Sequence, residues 1–133
     1  MATTHEEVRI EASAESVWDA VRDVGALHTR LVPGFVVDTQ LQGETRVVTF
    51  GNGMTVTEPI ISVDDARRRL AWAAVGGRAT HYNAVLEVLP DGSGAVVRWT
   101  SDLLPHEIAP AIAQMQRQGL AVMKKTLEAA SAR

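Results

Sequence analysis

Three side chains in this sequence carry chemistry that a buried site could use: Glu58, Tyr82 and His28. Glu58 stands two residues after Val56 and two before Ile60, so a strand would turn all three to one face. If that face is inward, burial raises the pKa of the carboxyl and makes it a candidate for proton exchange. The alternative places Glu58 near an open end, paired with an arginine such as Arg46 or Arg78. Tyr82 could donate a hydrogen bond to a ligand carbonyl, or serve as a core tyrosine with its hydroxyl at the rim. His28 lies on a short predicted helix, as an acid or base near a pocket mouth or as a surface residue.

Other chemistries lack their residues. The chain has no cysteine, which excludes disulfides, thiol catalysis and thiolate metal sites. His5, His81 and His106 have no carboxylate or histidine at ligand spacing, so no metal is expected. No glycine-rich phosphate loop, nucleophile elbow or two-carboxylate motif is present, and no cofactor is implied. The net charge is −3. The longest basic run is Arg67-Arg68-Arg69, which leaves nucleic-acid binding without an electrostatic footprint. The polar start, Met1 to Glu7, has no apolar signal region, and no apolar stretch is long enough to span a membrane. The expected location is cytoplasmic. With 133 residues, a single domain over 1–133 can bury roughly two-thirds of its unfolded surface.

The elements that must position these residues follow from periodicity. Glu6–Ala12 alternates and reads as a strand. Ser13 offers an N-cap hydroxyl to a helix over Ser16–Asp23, whose Val17, Trp18, Val21 and Val24 share a face. Gly25 ends it, and Ala26–Leu31 forms a second short helix before Pro33-Gly34. Phe35–Leu41, Thr45–Phe50 and Met54–Val63 read as strands joined by glycine turns. Arg68–Val75, Ala79–Leu89 and Ala95–Leu104 complete the set, with Pro90 to Gly94 as a strong turn. The chain then runs through Pro105 into one long helix. Its Ile108, Ile112, Met115, Gly119, Met123, Leu127 and Ala130 recur at steps of three and four, one apolar stripe. The only surface large enough to receive that stripe is the preceding sheet.

Strand alternation then says what could line a space between helix and sheet. Leu70, Trp72 and Ala74 share a face, as do Tyr82, Ala84, Leu86 and Val88, and Val97, Trp99, Ser101 and Leu103. Large rings alternate with small residues on each of these faces. The helix adds Met115, Gly119 and Met123. Gly119 costs about 1 kcal/mol relative to alanine in a helix interior. It either lets the helix approach the sheet or leaves volume for a ligand, and spacing does not choose between the two.

In this arrangement the chain resembles the SRPBCC, START-like helix-grip superfamily. That superfamily includes START domains, birch-pollen-type (Bet v 1-like) allergens, plant abscisic-acid receptors and bacterial polyketide cyclase/dehydrase-like proteins. The resemblance runs from about Glu6 to Ala130. It rests on the opening Ile10-Glu-Ala-Ser-Ala-Glu-Ser-Val-Trp18, on Gly43-Glu-Thr-Arg46, and on Val56-Thr-Glu58 followed by Arg69-Leu-Ala-Trp72. Tyr82 and Val97-Arg-Trp99-Thr-Ser-Asp102 complete it. It implies an α+β fold: a curved antiparallel sheet of six to seven strands around a long C-terminal helix, with two short helices after the first strand. By similarity to the abscisic-acid receptors, Glu58, Trp72 and Tyr82 are pocket residues, joined by Met115, Gly119 and Met123 of the helix. The loops Phe50 to Met54 and after Gly77 depart from the receptors' gate and latch patterns, which sets the hormone-receptor role aside.

The expected ligand site is therefore Glu58, Trp72, Ala74, Tyr82, Ala84, Trp99, Met115, Gly119 and Met123. The leading function is binding of a hydrophobic small molecule such as a lipid, a polyketide or an aromatic metabolite. The alternative is a polyketide cyclase or dehydratase using Glu58 and Tyr82 as acid and base. A weaker alternative is an interaction scaffold without ligand. A homodimer is compatible with the sequence.

Overall fold

The computed structural model describes residues 1–132. Its strands are β1 (Ala2–Ile10), β2 (Val36–Gln42), β3 (Thr45–Phe50), β4 (Thr55–Asp64), β5 (Arg69–Ala73), β6 (His81–Asp91) and β7 (Gly94–Leu104). They form one antiparallel sheet in the order β1-β7-β6-β5-β4-β3-β2. Register shifts at Val36/Asp38 in β2 and Ile60/Ser62 in β4 bend the sheet, since an extra residue on one strand curves and twists the pair. Helix α1 (Ala14–Arg22) follows β1, and helix α2 (Ala109–Ser131) crosses the concave face. This is the helix-grip fold that the sequence implied, with seven strands.

The β6–β7 hairpin sets the inner surface. Tyr82 pairs with Leu103, Ala84 with Ser101, Leu86 with Trp99 and Val88 with Val97, and all eight are buried. The edge strand β1 begins earlier than its alternation predicts, at Ala2 rather than Glu6. Its outer face is polar because polar groups on β7 meet it there. Thr3 Oγ1 donates to Asp102 at 2.6 Å, and His5 Nδ1 lies 2.8 Å from Thr100 Oγ1.

Helix α1 starts where expected, with the Ser13 hydroxyl accepting from the Ser16 amide at 3.1 Å. Val17, Trp18 and Val21 enter the core, and Trp18 Nε1 donates to Asp65 Oδ1 at 2.9 Å. That bond ties the helix to the β4–β5 turn. The second short helix is instead a 3-10 turn, Val24–Ala26, followed by a π-helical turn, Leu27–Leu31, closed by the Val32 amide on the Leu27 carbonyl at 2.9 Å.

The 23 residues of α2 span about 35 Å. The buried stripe differs from the expected one at three residues. Gln116 and Leu120 are buried, whereas Ala130 is exposed. The C-terminal half is fastened to β1: Lys124 Nζ donates to the Arg9 carbonyl at 2.8 Å, and Glu128 accepts from the Glu11 amide at 2.8 Å. The N-terminal half touches the sheet through Gln116 and Arg117, and its first turns bridge over a space.

Candidate functional site

That space is a cavity of about 600 Å³ between the N-terminal half of α2 and the inner face of the sheet. Its wall is mostly apolar, and Arg46, Glu58, Tyr82 and Arg78 are the ionisable groups on it. The mouth is framed by the β3–β4 loop, the β5–β6 loop and the turn Leu27–Leu31. One approach beside the mouth needs a bare backbone. A Cβ on Gly51 would stand 2.5 Å from the Gly34 carbonyl oxygen, and the Gly51 amide donates to Phe35 at 3.0 Å. The segment Gly34-Phe35 is thereby pinned against the β3–β4 hairpin beside the mouth.

Of the nine expected ligand residues, seven line the cavity: Glu58, Trp72, Ala74, Tyr82, Trp99, Met115 and Met123. Ala84 and Gly119 do not reach it. Ala84 lies between Trp72 and Ser101 on the neighbouring strands, and its short side chain is covered, with 2% of its surface exposed. Gly119 faces rings rather than open volume. A Cβ there would meet Trp99 Cζ3 at 3.0 Å and Phe35 Cε2 at 3.1 Å. Of the two readings, close approach is the one that the geometry favours. His28 is also off the wall, with Nδ1 buried and unpartnered.

The polar groups of the inner surface fall into two clusters. In the first, Arg46 on β3 is paired across the ladder with Glu58 on β4. Arg46 Nε donates to Glu58 Oε1 at 2.8 Å, with the side chains only 3% and 10% exposed. Arg46 Nη1 also donates to the Val24 carbonyl at 3.3 Å, and the guanidinium lies 5.6 Å from the Trp72 ring centroid, within cation–π range. Burial pushes the Glu58 carboxyl above the ordinary carboxylate range, and Arg46 pulls it back only in part. Of the two placements open from sequence, Glu58 is both inward and paired, and Arg46 is the arginine that pairs with it.

The second cluster is neutral. Gln116 Nε2 donates to Ser101 Oγ at 2.7 Å, and Ser101 Oγ donates to the Tyr82 hydroxyl at 2.8 Å. Burial pushes the Tyr82 hydroxyl up to about 12, against the opposing hydrogen bond from Ser101. Trp72 and Trp99 pack beside these clusters with ring centroids 5.9 Å apart. Among the described residues, neither indole N–H has a hydrogen-bond partner.

Sequence reasoning missed Arg46 and Phe35 as wall residues, and Gln116 as a buried one. For Arg46 the signal was available: Arg46, Val48 and Phe50 alternate as Val56, Glu58 and Ile60 do. Gln116 carried no such signal, because a polar residue on a helix reads as solvent-facing until the element packed above it is known.

The sequence matches the family model described as polyketide cyclase / dehydrase and lipid transport over residues 1–128. The chain belongs to that family. No curated protein sequence matches it. Among solved structures, a Thermobifida fusca protein studied by solution NMR is 29% identical, with a TM-score of 0.79 over 100% of this chain and 95% of that one. The di-domain ARO/CYC BexL of the BE-7585A biosynthetic pathway is 19% identical, with a TM-score of 0.83 over 96% of this chain and 47% of that one. Norcoclaurine synthase from Thalictrum flavum, in complex with dopamine and hydroxybenzaldehyde, is 22% identical, with a TM-score of 0.73 over 97% and 85%. The last two likenesses are likenesses of fold. Family and cavity together support a ligand-binding or cyclase role. No helix is long and apolar enough to cross a membrane, a statement made of the described residues.

Proposed function

We propose that the protein binds a hydrophobic small molecule, such as a lipid, a polyketide or an aromatic metabolite, in the cavity between α2 and the sheet. The observation that carries this reading is the cavity itself: about 600 Å³, within the range of sites for small ligands and built as they are, mostly apolar with a few polar groups. Acid–base catalysis needs a donor and an acceptor poised around one reacting atom. Here Glu58 is engaged by Arg46, and Tyr82, pushed up to about 12, stays protonated at neutral pH and offers no base.

A cyclase or dehydratase is the second reading. It is favoured by one observation: a carboxyl raised by burial on an apolar wall, the way proton-transfer groups are tuned. One variant separates the two. If the protein binds without reaction, Glu58→Gln shifts affinity for a neutral ligand by less than about fifteenfold, the worth of one hydrogen bond. If it is an enzyme, turnover of a cyclisable polyketide falls about 10²- to 10⁴-fold in Glu58→Gln while binding persists. Native mass spectrometry of freshly purified protein would supply the ligand for both measurements.

A further inference from the structure

The Arg46–Glu58 pair is held by a single contact. Nε meets Oε1, and Nη1 is spent on the Val24 carbonyl. Among the described residues, Arg46 Nη2 and Glu58 Oε2 have no hydrogen-bond partner. Both residues line the cavity. The wall therefore carries a donor and an acceptor side by side, with no net charge. A guanidinium matched to a carboxylate ligand would present its fork bidentately. This one is already neutralised by Glu58, and a ligand carboxylate would arrive beside a buried carboxylate of the same sign. Arg78, the remaining cation on the wall, is exposed at the mouth, where water and salt screen it.

We propose that Glu58 sets the specificity of the cavity: by capping Arg46 it excludes carboxylates and selects neutral, ring-bearing ligands with an acceptor and a donor on neighbouring atoms. Such a ligand accepts from Arg46 and donates to Glu58; a carboxamide, a hydroxyketone or an enolised dicarbonyl has the required pattern. The ring is received by the apolar wall around the pair, to which Phe35, Trp72 and Trp99 contribute. This inference rests on the cavity-binding reading above.

Three probes of one shape test it by isothermal titration calorimetry: naphthalene, 2-naphthamide and 2-naphthoate. The wild-type protein is expected to bind the amide at least about tenfold more tightly than the carboxylate, the effect of one unfavourable buried charge contact or more. Glu58→Gln frees the guanidinium and should raise naphthoate affinity about tenfold or more, while naphthamide changes less. Arg46→Met/Glu58→Met removes both charges without leaving one unpaired; it should keep naphthalene binding and lose the preference for the amide over naphthalene. That double variant keeps the test open if Glu58→Gln fails to fold. Naphthalene binding with equal amide and carboxylate affinities in the wild-type protein would overturn the specificity assignment alone. So would naphthoate affinity unchanged in Glu58→Gln, or an amide preference that survives the double variant. Absence of binding by all three probes would overturn the cavity reading, and this inference with it.

Discussion

The two polar clusters on the inner surface are built on opposite principles. Tyr82, Ser101 and Gln116 form a neutral chain of hydrogen bonds, in which Gln116 Oε1 is the one buried atom left without a partner among the described residues. It joins β6, β7 and α2, elements that need a fixed spacing if a helix is to bridge a sheet. A neutral network costs little to bury once its members are bonded. Arg46 and Glu58 instead carry full charges, nine-tenths buried or more, with one contact between them. Desolvating two ions costs more than one such contact returns, and apolar residues of similar volume often serve stability as well or better. The neutral cluster explains itself as part of the fold. The charged one does not, and its place on the cavity wall is the reason to look for a ligand there.

The largest test of that contrast is Arg46→Met. It leaves the Glu58 carboxyl buried without its cation, and at neutral pH should cost about 3–5 kcal/mol of stability. The sign with pH is fixed by the raised Glu58. A carboxyl raised in the folded state favours folding while protonated, below its unfolded value, and loses that contribution as pH rises through the folded value. Arg46→Met removes the group that held the shift back. Its deficit against wild type, read from urea midpoints, should therefore shrink from pH 7 towards pH 4.5. Arg46→Met/Glu58→Met should restore most of the loss at every pH. A constant deficit across that range would mean that Glu58 is solvated when unpaired and that the cluster is not a buried charge site.

The neutral cluster predicts a smaller pH response of the same sign, displaced to alkaline pH. Tyr82 is the one tyrosine of the chain, so tyrosinate absorbance in the ultraviolet reports it without ambiguity. The folded hydroxyl should titrate near 12 rather than 10.0. Because the folded value lies above the unfolded one, the stabilisation is complete below pH 10 and is lost between pH 10 and 12, about 3 kcal/mol in all. Tyr82→Phe should lose that part of the alkaline slope. Titration of wild-type Tyr82 near 10 would show that its hydroxyl reaches water and that the network is open.

How much of this was legible beforehand differs between the two clusters for a physical reason. Strand alternation has a period of two and is read within one segment, so the inward faces of Trp72, Tyr82 and Trp99 could be read from sequence, whereas Glu58 was placed on the face of Val56 and Ile60 with its direction left open. The partner of Glu58 was narrowed to two arginines but not fixed, because the choice depends on which strand lies beside β4. Gln116 was out of reach. Its burial follows from its position above Ser101, a contact between residues fifteen apart that depends on the height of the helix over the sheet. Gly119 stayed undecided for the same reason, and only the rings of Trp99 and Phe35 near its Cα separate the two readings. The β1 start was missed because an edge strand can be polar on one face and still pair along its length.

Ser101 is the hub of the neutral chain, and removing its hydroxyl gives the smallest of the expected effects. In Ser101→Ala the Gln116 amide loses its acceptor in a fully buried setting, and Tyr82 loses its donor. Leaving a neutral buried group unbonded costs about 1–2 kcal/mol, well below the cost of orphaning Glu58. The informative readout is the Tyr82 titration. The Ser101 bond favours the tyrosinate and opposes the effect of burial, so its loss should move the midpoint above that of the wild-type protein. A structural cavity at Ser101 that admitted water would instead lower it. A downward shift would therefore show that the neutral cluster is wet, and the contrast with the Arg46–Glu58 pair would lose its basis. An upward shift with a small stability loss would establish that the chain is dry, bonded and structural.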